Sequence, residues 1–276
     1  MTQADEAATP MNALVLAASR QGERNSVAAL KGVSHKCVAP INGTPMIERV
    51  VRALLDSDRI ATVYVSIESA DVLTPIPALA RWMAEGRVRV VTSRATLADS
   101  VIAAVEASDS ALPLVITTGD NALHTPALIR DFADATAASQ ADITLGFTRE
   151  EDVLKDFPEP GLAFHRLKDG GVSSCNLYGL RTENALETAR VFEGGGQFGK
   201  KPWRILKAFG ILPFILYKLK ATTSDRLLAR LGRNLGVSAD MVFLPYSFGP
   251  IDVDNPASFR LSEEALIARE GPAEGG

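Results

Sequence analysis

Cysteine and histidine are scarce in this chain, which has 2 cysteines and 3 histidines among 276 residues. Cys37 and Cys175 form no Cys-x-x-Cys pair, and His35, His124 and His165 show no paired metal spacing. The sequence therefore predicts neither a disulfide framework nor a cysteine or histidine zinc site. Such sparing use of cysteine is typical of proteins in a reducing compartment, and we expect a cytoplasmic protein.

Long uninterrupted hydrophobic runs are also missing. The longest apolar stretch, residues 205–219, contains two lysines, a glycine and a proline, and it falls short of the roughly 18 apolar residues that a spanning helix needs. Residues 1–10 lack the basic and apolar regions of a secretory signal. We expect disordered tails at residues 1–10 and 270–276 and no transmembrane segment.

The charge is nearly balanced, with 29 Lys and Arg against 33 Asp and Glu and a net charge of -4. This balance gives no general attraction to nucleic acid, which excludes a polyanion-binding class. Hydrophobic residues make up 46% and charged residues 22% of the chain, as in globular proteins with a buried core. We expect one folded domain over residues 11–269.

Short apolar runs alternate with longer segments of helical periodicity, a pattern typical of βαβ units. The runs that predict strands are residues 12–17, 62–67, 87–91, 114–118, 143–147, 176–180 and 241–244. The segments that predict helices are residues 46–55, 79–83, 100–107, 128–138 and 258–269. A hairpin turn is predicted at residues 168–171. The fold class predicted is α/β, with a mostly parallel central sheet flanked by helices.

The connection after the first strand has the features of an anion site. Small residues at 17–19 expose backbone N–H groups, and Arg24 and Lys36 add positive charge to the same connection. The connection lacks both the Gly-Lys-Ser/Thr of a Walker loop and the three glycines of the dinucleotide fingerprint. These parts would suit a triphosphate, although a surface loop with solvated charges has the same composition.

Two carboxylates in separate motifs could form a metal site. Asp120 follows the predicted strand at residues 114–118 after one glycine, and Asp252 lies far down the chain. A fold that brings them together would supply the oxygen ligands that Mg²⁺ prefers beside phosphates. Asp254 is a secondary candidate. Taken singly, Asp120 and Asp254 also suit turns or helix caps.

Five motifs occur in the order found in the sugar-phosphate and cofactor nucleotidyltransferases, and the chain especially resembles the branch similar to molybdenum-cofactor guanylyltransferase. The motifs are Ala17-Ala18-Ser19 with Gly22, Arg24 and Lys36-x-x-x-Pro40-x-x-Gly43-x-Pro45-Met46; Thr96 to Val101; Thr118 to Leu123; Asn176 to Leu180; and Ile251 to Pro256. The resemblance implies a Rossmann-like nucleotidyltransferase fold, related to type A glycosyltransferases. It also implies that the chain binds a nucleoside triphosphate and releases pyrophosphate.

The resemblance also implies roles for particular residues. They are nucleotide binding by Ala17, Ala18, Ser19, Gly22, Ser100 and Gly119, catalysis by Arg24 and Lys36, Mg²⁺ binding by Asp120 and Asp252, and acceptor binding by Asn176. Two residues depart from the family pattern: Ser19 replaces a glycine and Ala122 replaces a proline. A positive φ at Ser19 would cost about 1–2 kcal/mol. The insert at residues 25–35 could form a lid over the nucleotide.

A basic helical insertion is predicted at about residues 197–236. Its segment from Lys200 to Asn234 has nine basic residues and one acid, Asp225. We expect Arg226 and Arg230 to bind a phosphorylated acceptor, because the resemblance assigns the nucleotide to the other half of the chain. Contact with an anionic membrane surface, a homodimer interface and a solvated helix face are the alternatives.

The sequence thus predicts a Mg²⁺-dependent nucleotidyltransferase. It would transfer NMP from an NTP to a small sugar-, alcohol- or cofactor-phosphate acceptor, with pyrophosphate as the second product. A glycosyltransferase on the related fold is one alternative, although its Asp-x-Asp would usually follow the metal strand. A non-catalytic nucleotide-binding regulator is the other.

Overall fold

A computed structural model of the chain describes residues 10–19, 25–108, 112–186 and 220–273. The predicted residues Gly22 and Arg24, and most of the predicted basic insertion, lie outside these ranges. Among the described residues, no helix is long and apolar enough to cross a membrane.

Within the described ranges, the β-branched and apolar runs form ten strands. They are β1 (Met11–Leu16), β2 (Pro40–Ile41), β3 (Thr44–Pro45), β4 (Ile60–Ile67), β5 (Val88–Thr92), β6 (Leu114–Thr118), β7 (Ile143–Arg149), β8 (His165–Leu167), β9 (Gly170–Leu180) and β10 (Ala239–Phe243).

The helices of the described residues carry their buried side chains on one face. They are α1 (Ser26–Lys31), α2 (Met46–Leu55), α3 (Pro77–Ala84), α4 (Leu97–Glu106), α5 (Pro126–Ala138), α6 (Glu150–Asp156), α7 (Ser224–Leu235) and α8 (Pro256–Glu270). In α2 the buried positions include Ile47, Val50 and Leu54, which recur at the spacing of one helix face. The sequence predicted this helix with the same bounds.

One mixed sheet of eight strands organises the molecule. Seven strands have the order β10-β7-β9-β6-β1-β4-β5, and β8 pairs with β9. The pairs β1–β4, β1–β6, β4–β5 and β7–β10 are parallel, whereas β9 is antiparallel to β6, β7 and β8. The carboxyl ends of β1, β4, β5 and β6 therefore meet at one edge, where open α/β sheets bind ligands.

Hydrophobic side chains are buried on both faces of the sheet. One cluster joins β1 and β4 to α2, α3 and α5, with Phe132, Leu54 and Leu79 among its buried members. A second lies on the opposite face and includes Leu14 and Val101. A third cluster joins α1 to α8 around Val27 and Phe259. The predicted α/β architecture is confirmed.

Several local structures differ from the predicted ones. The insert at residues 25–35 forms α1, which the Asn25 side chain caps and Gly32 ends with φ 66°. This helix packs against α8. Strand β9 begins six residues before the predicted strand at 176. At the carboxyl end, α8 includes Glu270, which pairs with Arg49 at 2.8 Å, so residue 270 is part of the packed domain and not of a loose tail.

Candidate active site

Three carboxylates from two distant segments meet at the carboxyl edge of the sheet. Asp120 follows β6, whereas Asp252 and Asp254 lie in the connection between β10 and α8. One carboxylate oxygen from each residue lies within 4.8 Å of the others. The N–H of Val253 donates to the carbonyl of Asp120 at 3.1 Å, which holds the two segments together. We call these three residues the acidic cluster.

Lys36 is the positive charge of this cluster. Its Nζ lies 2.5 Å from Oδ2 of Asp120 and 2.9 Å from Oδ1 of Asp254. A 3-10 turn at Lys36–Val38 positions the side chain, and Cys37 is buried beneath it. Burial opposes the charged form of the lysine, but Asp120 and Asp254 together outweigh burial and raise the pKa of Lys36. The lysine is therefore fully protonated at neutral pH.

Asp252 is the carboxylate that Lys36 does not contact. Burial, with the charges of Asp120 and Asp254 beside it, raises the pKa of Asp252 to about 6. Its Oδ2 accepts a hydrogen bond from Nδ2 of Asn176 at 3.1 Å. Crowded carboxylates of this kind gain stability from a bound cation, because a cation relieves their mutual repulsion.

Asn176 reaches Asp252 because β9 is irregular at this point. The pairing of β7 with β9 shifts register between Leu145 and Phe147, and Asn176 has φ 52°. A bulge of this kind redirects a side chain out of the regular alternation of the strand. Asparagine tolerates the left-handed conformation better than most residues. The sequence predicted Asn176 at the acceptor side, and the structure places it against the acidic cluster.

Two further residues that the sequence analysis did not select support the cluster. The Asn121 amide accepts a hydrogen bond from Asn176 at 3.3 Å. His124 is buried, and its ring nitrogen Nε2 lies 3.0 Å from the carbonyl of Gly249. Burial lowers the pKa of His124 to about 4, so its ring is neutral. His124 joins the turn after β6 to the segment that leads to Asp252.

The chemistry of the donor set suits a magnesium ion. Carboxylate oxygens are the protein ligands that Mg²⁺ prefers, usually one or two of them together with phosphate oxygens and water. Asp120 and Asp252 were the predicted ligands, and the structure brings them together. Asp254, the secondary candidate, joins them.

The loop after β1 lies beside the cluster. Ala17 is buried, whereas Ala18 and Ser19 are exposed. The N–H of Ser19 donates to Oε1 of Glu68 at 2.7 Å. Ser19 is not among the described non-glycine residues that have a positive φ. The backbone strain that a positive φ would cause at Ser19 therefore does not arise.

Gly119 and Ser100 make contacts within the protein. The N–H of Gly119 donates to the carbonyl of Leu16 at 3.0 Å. The Ser100 hydroxyl donates to the carbonyl of Thr96 at 3.0 Å and accepts from the N–H of Arg94 at 2.9 Å. Both residues therefore shape the backbone around the edge of the sheet. Their nucleotide-binding role stays a prediction, as do those of Ala17, Ala18 and Ser19.

A cavity of about 700 Å³ opens on the other side of the cluster. Asp252, Asp254 and Asn176 form one end of its lining. The remaining lining comes from residues 159–163, from β8 and β9, from Pro250 and Ile251, and from the first turns of α8. We call this space the acceptor cavity. A volume of this size is ordinary for a small-molecule site.

Arg226 and Arg230 do not line the acceptor cavity. Both lie on α7, which packs against the edge strand β10. Arg226 is exposed and Arg230 half-buried. The structure thus gives no direct support to the predicted acceptor role of these two arginines, which stays a prediction.

Comparison with known proteins identifies a family whose model matches most of this chain. The model of the MobA-like NTP transferase domain matches residues 13–199. A comparison with curated proteins found no match. Among solved structures, one described as a hypothetical transferase from Thermus thermophilus is 25% identical with a TM-score of 0.72, over 91% of this chain and 100% of its own.

Two more distant structures share the fold. CMP:2-keto-3-deoxy-manno-octonic acid synthetase, complexed with CTP, has a TM-score of 0.62 and 14% identity, over 95% of this chain and 100% of its own. The 4-diphosphocytidyl-2C-methyl-D-erythritol synthase of Anaerococcus prevotii has a TM-score of 0.55 and 11% identity, over 94% and 98%. Both likenesses show that the sheet and its flanking helices have the arrangement found in nucleotidyltransferases.

Proposed function

This chain belongs to the family of MobA-like NTP transferase domains, and from that premise we propose that it transfers NMP from an NTP to a small phosphorylated acceptor, with Mg²⁺ as its cofactor. It is an enzyme of the nucleotidyltransferase class, as the sequence predicted. The acceptor, the metal and the individual residues below are our proposals.

The acidic cluster is the observation that carries this proposal. Asp120, Asp252 and Asp254 come together from segments more than a hundred residues apart, and a fold has no structural need to gather three carboxylates. When bound there, Mg²⁺ would neutralise charge on the α-phosphate and on the departing pyrophosphate. Asp252 and Asp254 of the cluster also line the acceptor cavity, which suits an ion that serves both the nucleotide and the acceptor.

The transfer itself requires little from the protein beyond position and charge. An oxygen of the acceptor phosphate attacks the α-phosphorus, a new P–O bond forms, and the bond between the α-phosphorus and the bridging oxygen breaks. Pyrophosphate leaves with the electron pair of that bond. An ionised phosphate is already a nucleophile, so no general base is needed.

Lys36 would stabilise the charge that develops during this transfer. A preorganised ammonium group beside the reacting phosphates lowers the barrier because it is in place before the charge moves. Its hydrogen bonds to Asp120 and Asp254 hold it at the cluster. We propose that Arg24 acts with it on the triphosphate, and that Ala17, Ala18, Ser19, Gly22, Ser100 and Gly119 form the nucleotide site.

Asn176 would position Asp252. Its amide donates to one carboxylate oxygen and leaves the other oxygen of Asp252 available. The loss of this amide should disturb the geometry of the cluster without removing a charge from it. A cytoplasmic location and a homodimer stay predictions of the sequence analysis.

Pyrophosphate release tests the proposal. The protein is incubated with each of ATP, CTP, GTP and UTP, with Mg²⁺ or with EDTA, and with a panel of sugar and polyol monophosphates. We expect release with at least one NTP and one phosphate ester, only with Mg²⁺, and loss of release in Asp120→Asn. The exposed Asp225→Asn on α7 is the control. Transfer of a sugar from a nucleotide sugar, without pyrophosphate release, would instead favour the glycosyltransferase alternative.

A further inference from the structure

The acceptor cavity has an uneven charge. Asp252 and Asp254 of the acidic cluster line it, and so do Glu159 and Glu264. His165 also lines it, and burial lowers the pKa of that ring, so His165 adds no charge at neutral pH. The one permanently positive side chain in the described lining is Arg260.

Arg260 is exposed and unpaired within the part of the chain that the structure describes. The other arginine of α8 differs: Arg269 donates to the carbonyl of Leu123 and pairs with Glu270. Glu264 lies one helical turn after Arg260, and side chains at this spacing often form an ion pair. Arg260 and Glu264 do not pair with each other. The guanidinium of Arg260 is therefore available to a ligand in the cavity.

The direction of α8 brings Arg260 toward the acidic cluster. The helix begins at Pro256, directly after Asp254 and Asn255. Side chains of a helix lean toward its amino terminus, so a long side chain covers the turn that precedes its own Cα. A side chain with this lean would reach back from Arg260 toward the start of α8, and Arg260 lines the same cavity as Asp252 and Asp254.

The start of α8 itself offers no free donors at this point. The side chain of Asn255 accepts from the N–H groups of Ala257 and Ser258, and the hydroxyl of Ser258 accepts from the N–H of Asn255. An anion in the cavity would therefore find its donor in the Arg260 side chain and not in the helix terminus.

We infer that Arg260 binds the phosphate of the acceptor and holds it beside the acidic cluster. This inference rests on the proposed function and specifies the acceptor further. A guanidinium donates two parallel hydrogen bonds to a phosphate, and the attacking oxygen must lie near the α-phosphate of the nucleotide. Arg260 meets both requirements from the wall of the cavity.

The cavity lining also indicates how many phosphates the acceptor has and which other functional groups it bears. One cation among several carboxylates suits a ligand with a single phosphate, because further anionic groups would face Glu159 and Glu264. Carboxylates accept hydrogen bonds only, whereas the hydroxyls of Ser173 and Ser174 both donate and accept. The acceptor is thus a monophosphate ester whose body bears several hydroxyl groups.

Titration calorimetry with defined probes tests the inference. The probes are inorganic phosphate, sn-glycerol 3-phosphate and D-glucose 1-phosphate, with glycerol and D-glucose as their uncharged counterparts. We expect the wild type to bind at least one phosphate probe more tightly than its counterpart. Arg260→Ala should weaken that binding by roughly 10- to 100-fold, the effect of one lost charge-assisted contact, and Arg260→Lys should recover part of it. Arg89→Ala, an exposed arginine on β5, is the matched control.

The outcomes separate this inference from the proposed function. NTP affinity is measured on the same proteins and should be equal in wild type and Arg260→Ala. If none of the four NTPs binds the wild type, the proposed function is contradicted. Unchanged probe affinity in Arg260→Ala, equal binding of uncharged probes, or no binding of any phosphate probe overturns the inference. A loss seen only in Arg226→Ala with Arg230→Ala would place the phosphate on α7 and also overturn it.

Discussion

Lys36 and Asp120 are separated by 84 residues in the chain, and in the fold the lysine Nζ lies 2.5 Å from the aspartate Oδ2. The same Nζ donates to Oδ1 of Asp254 at 2.9 Å. The lysine therefore lies where a divalent cation would meet these carboxylates. A metal ion and the ammonium group compete for the same oxygens, and the bound ion would direct Lys36 toward the phosphates.

This competition leads to opposite effects of Lys36→Ala on two measurements. Turnover should fall by about 100-fold or more, because a preorganised charge is lost from the transition state. Mg²⁺ affinity of the nucleotide-free protein should be equal or higher, because one competitor of the ion is gone. Pyrophosphate release and calorimetric Mg²⁺ titration measure the two effects, with Lys168→Ala as control. Unchanged pyrophosphate release would remove Lys36 from the mechanism.

The raised pKa of Asp252 predicts how the stability of the metal-free protein depends on pH. An aspartate has a pKa near 3.9 when unfolded, whereas that of Asp252 is about 6 in the fold. The folded state thus binds the proton more tightly. Ionised Asp252 therefore lowers the free energy of unfolding above pH 6. This destabilisation disappears as the pH falls from about 6 to 4.

Asp252→Asn should remove this penalty. Without metal at pH 7 the variant should be more stable than the wild type by about 1 kcal/mol or more, and this gain should vanish near pH 4. Thermal unfolding at several pH values measures it. Addition of Mg²⁺ should stabilise the wild type and not the variant. Equal stability of the two proteins at pH 7 would show that Asp252 is not destabilised by its neighbours.

Two substitutions of Asn176 separate its backbone from its side chain. Glycine accepts φ 52° without strain, so Asn176→Gly should keep the stability of the wild type and still lose activity, because the amide that positions Asp252 is gone. Asn176→Ala loses the same amide and should also cost about 1 kcal/mol of stability. Chemical denaturation and pyrophosphate release compare them. Full activity of the glycine variant would exclude a positioning role.

Gly119 is predicted to be necessary for packing. A Cβ at this position would lie 3.1 Å from Cβ of Cys37, 3.2 Å from Cδ1 of Ile47 and 3.3 Å from Cβ of Ala17. Gly119→Ala should therefore destabilise the fold by about 1–3 kcal/mol, the usual cost of overpacking. It should also displace Asp120, the next residue, and weaken Mg²⁺ binding. Normal stability of this variant in urea would contradict the packing argument.

The strands and long helices could be predicted because their hydrophobic periodicity is strong. Helix α2 has five apolar positions at helical spacing, and the run at 114–118 begins with three apolar residues followed by two β-branched threonines. The short helices α1 and α6 were missed, although each had a signal. Asn25 and Gly32 are cap residues for α1, and three acids begin α6 before Lys155 ends it.

The site was predicted in part, because its residues come from separated motifs. Asp120, Asp252 and Lys36 could be selected from their motifs, and the fold brings them together. Asp254 was only a secondary candidate, since an aspartate before Asn-Pro also suits a turn. The bulge at Asn176 depends on pairing with β7, which no local pattern of β9 reveals. Nothing in the sequence around Arg260 distinguishes it from other helix surface charges.

Nucleotide binding with and without Mg²⁺ is the decisive measurement for a metal-dependent nucleotide site at the acidic cluster. The thermal unfolding of wild type, Asp120→Asn, Asp252→Asn and the control Asp225→Asn is measured with ATP, CTP, GTP and UTP, each with Mg²⁺ or EDTA. We expect at least one NTP to stabilise the wild type and the control only with Mg²⁺, and neither cluster variant to respond. Equal stabilisation of the cluster variants, or no stabilisation of the wild type by any NTP, would contradict a Mg²⁺-dependent nucleotide site at this cluster.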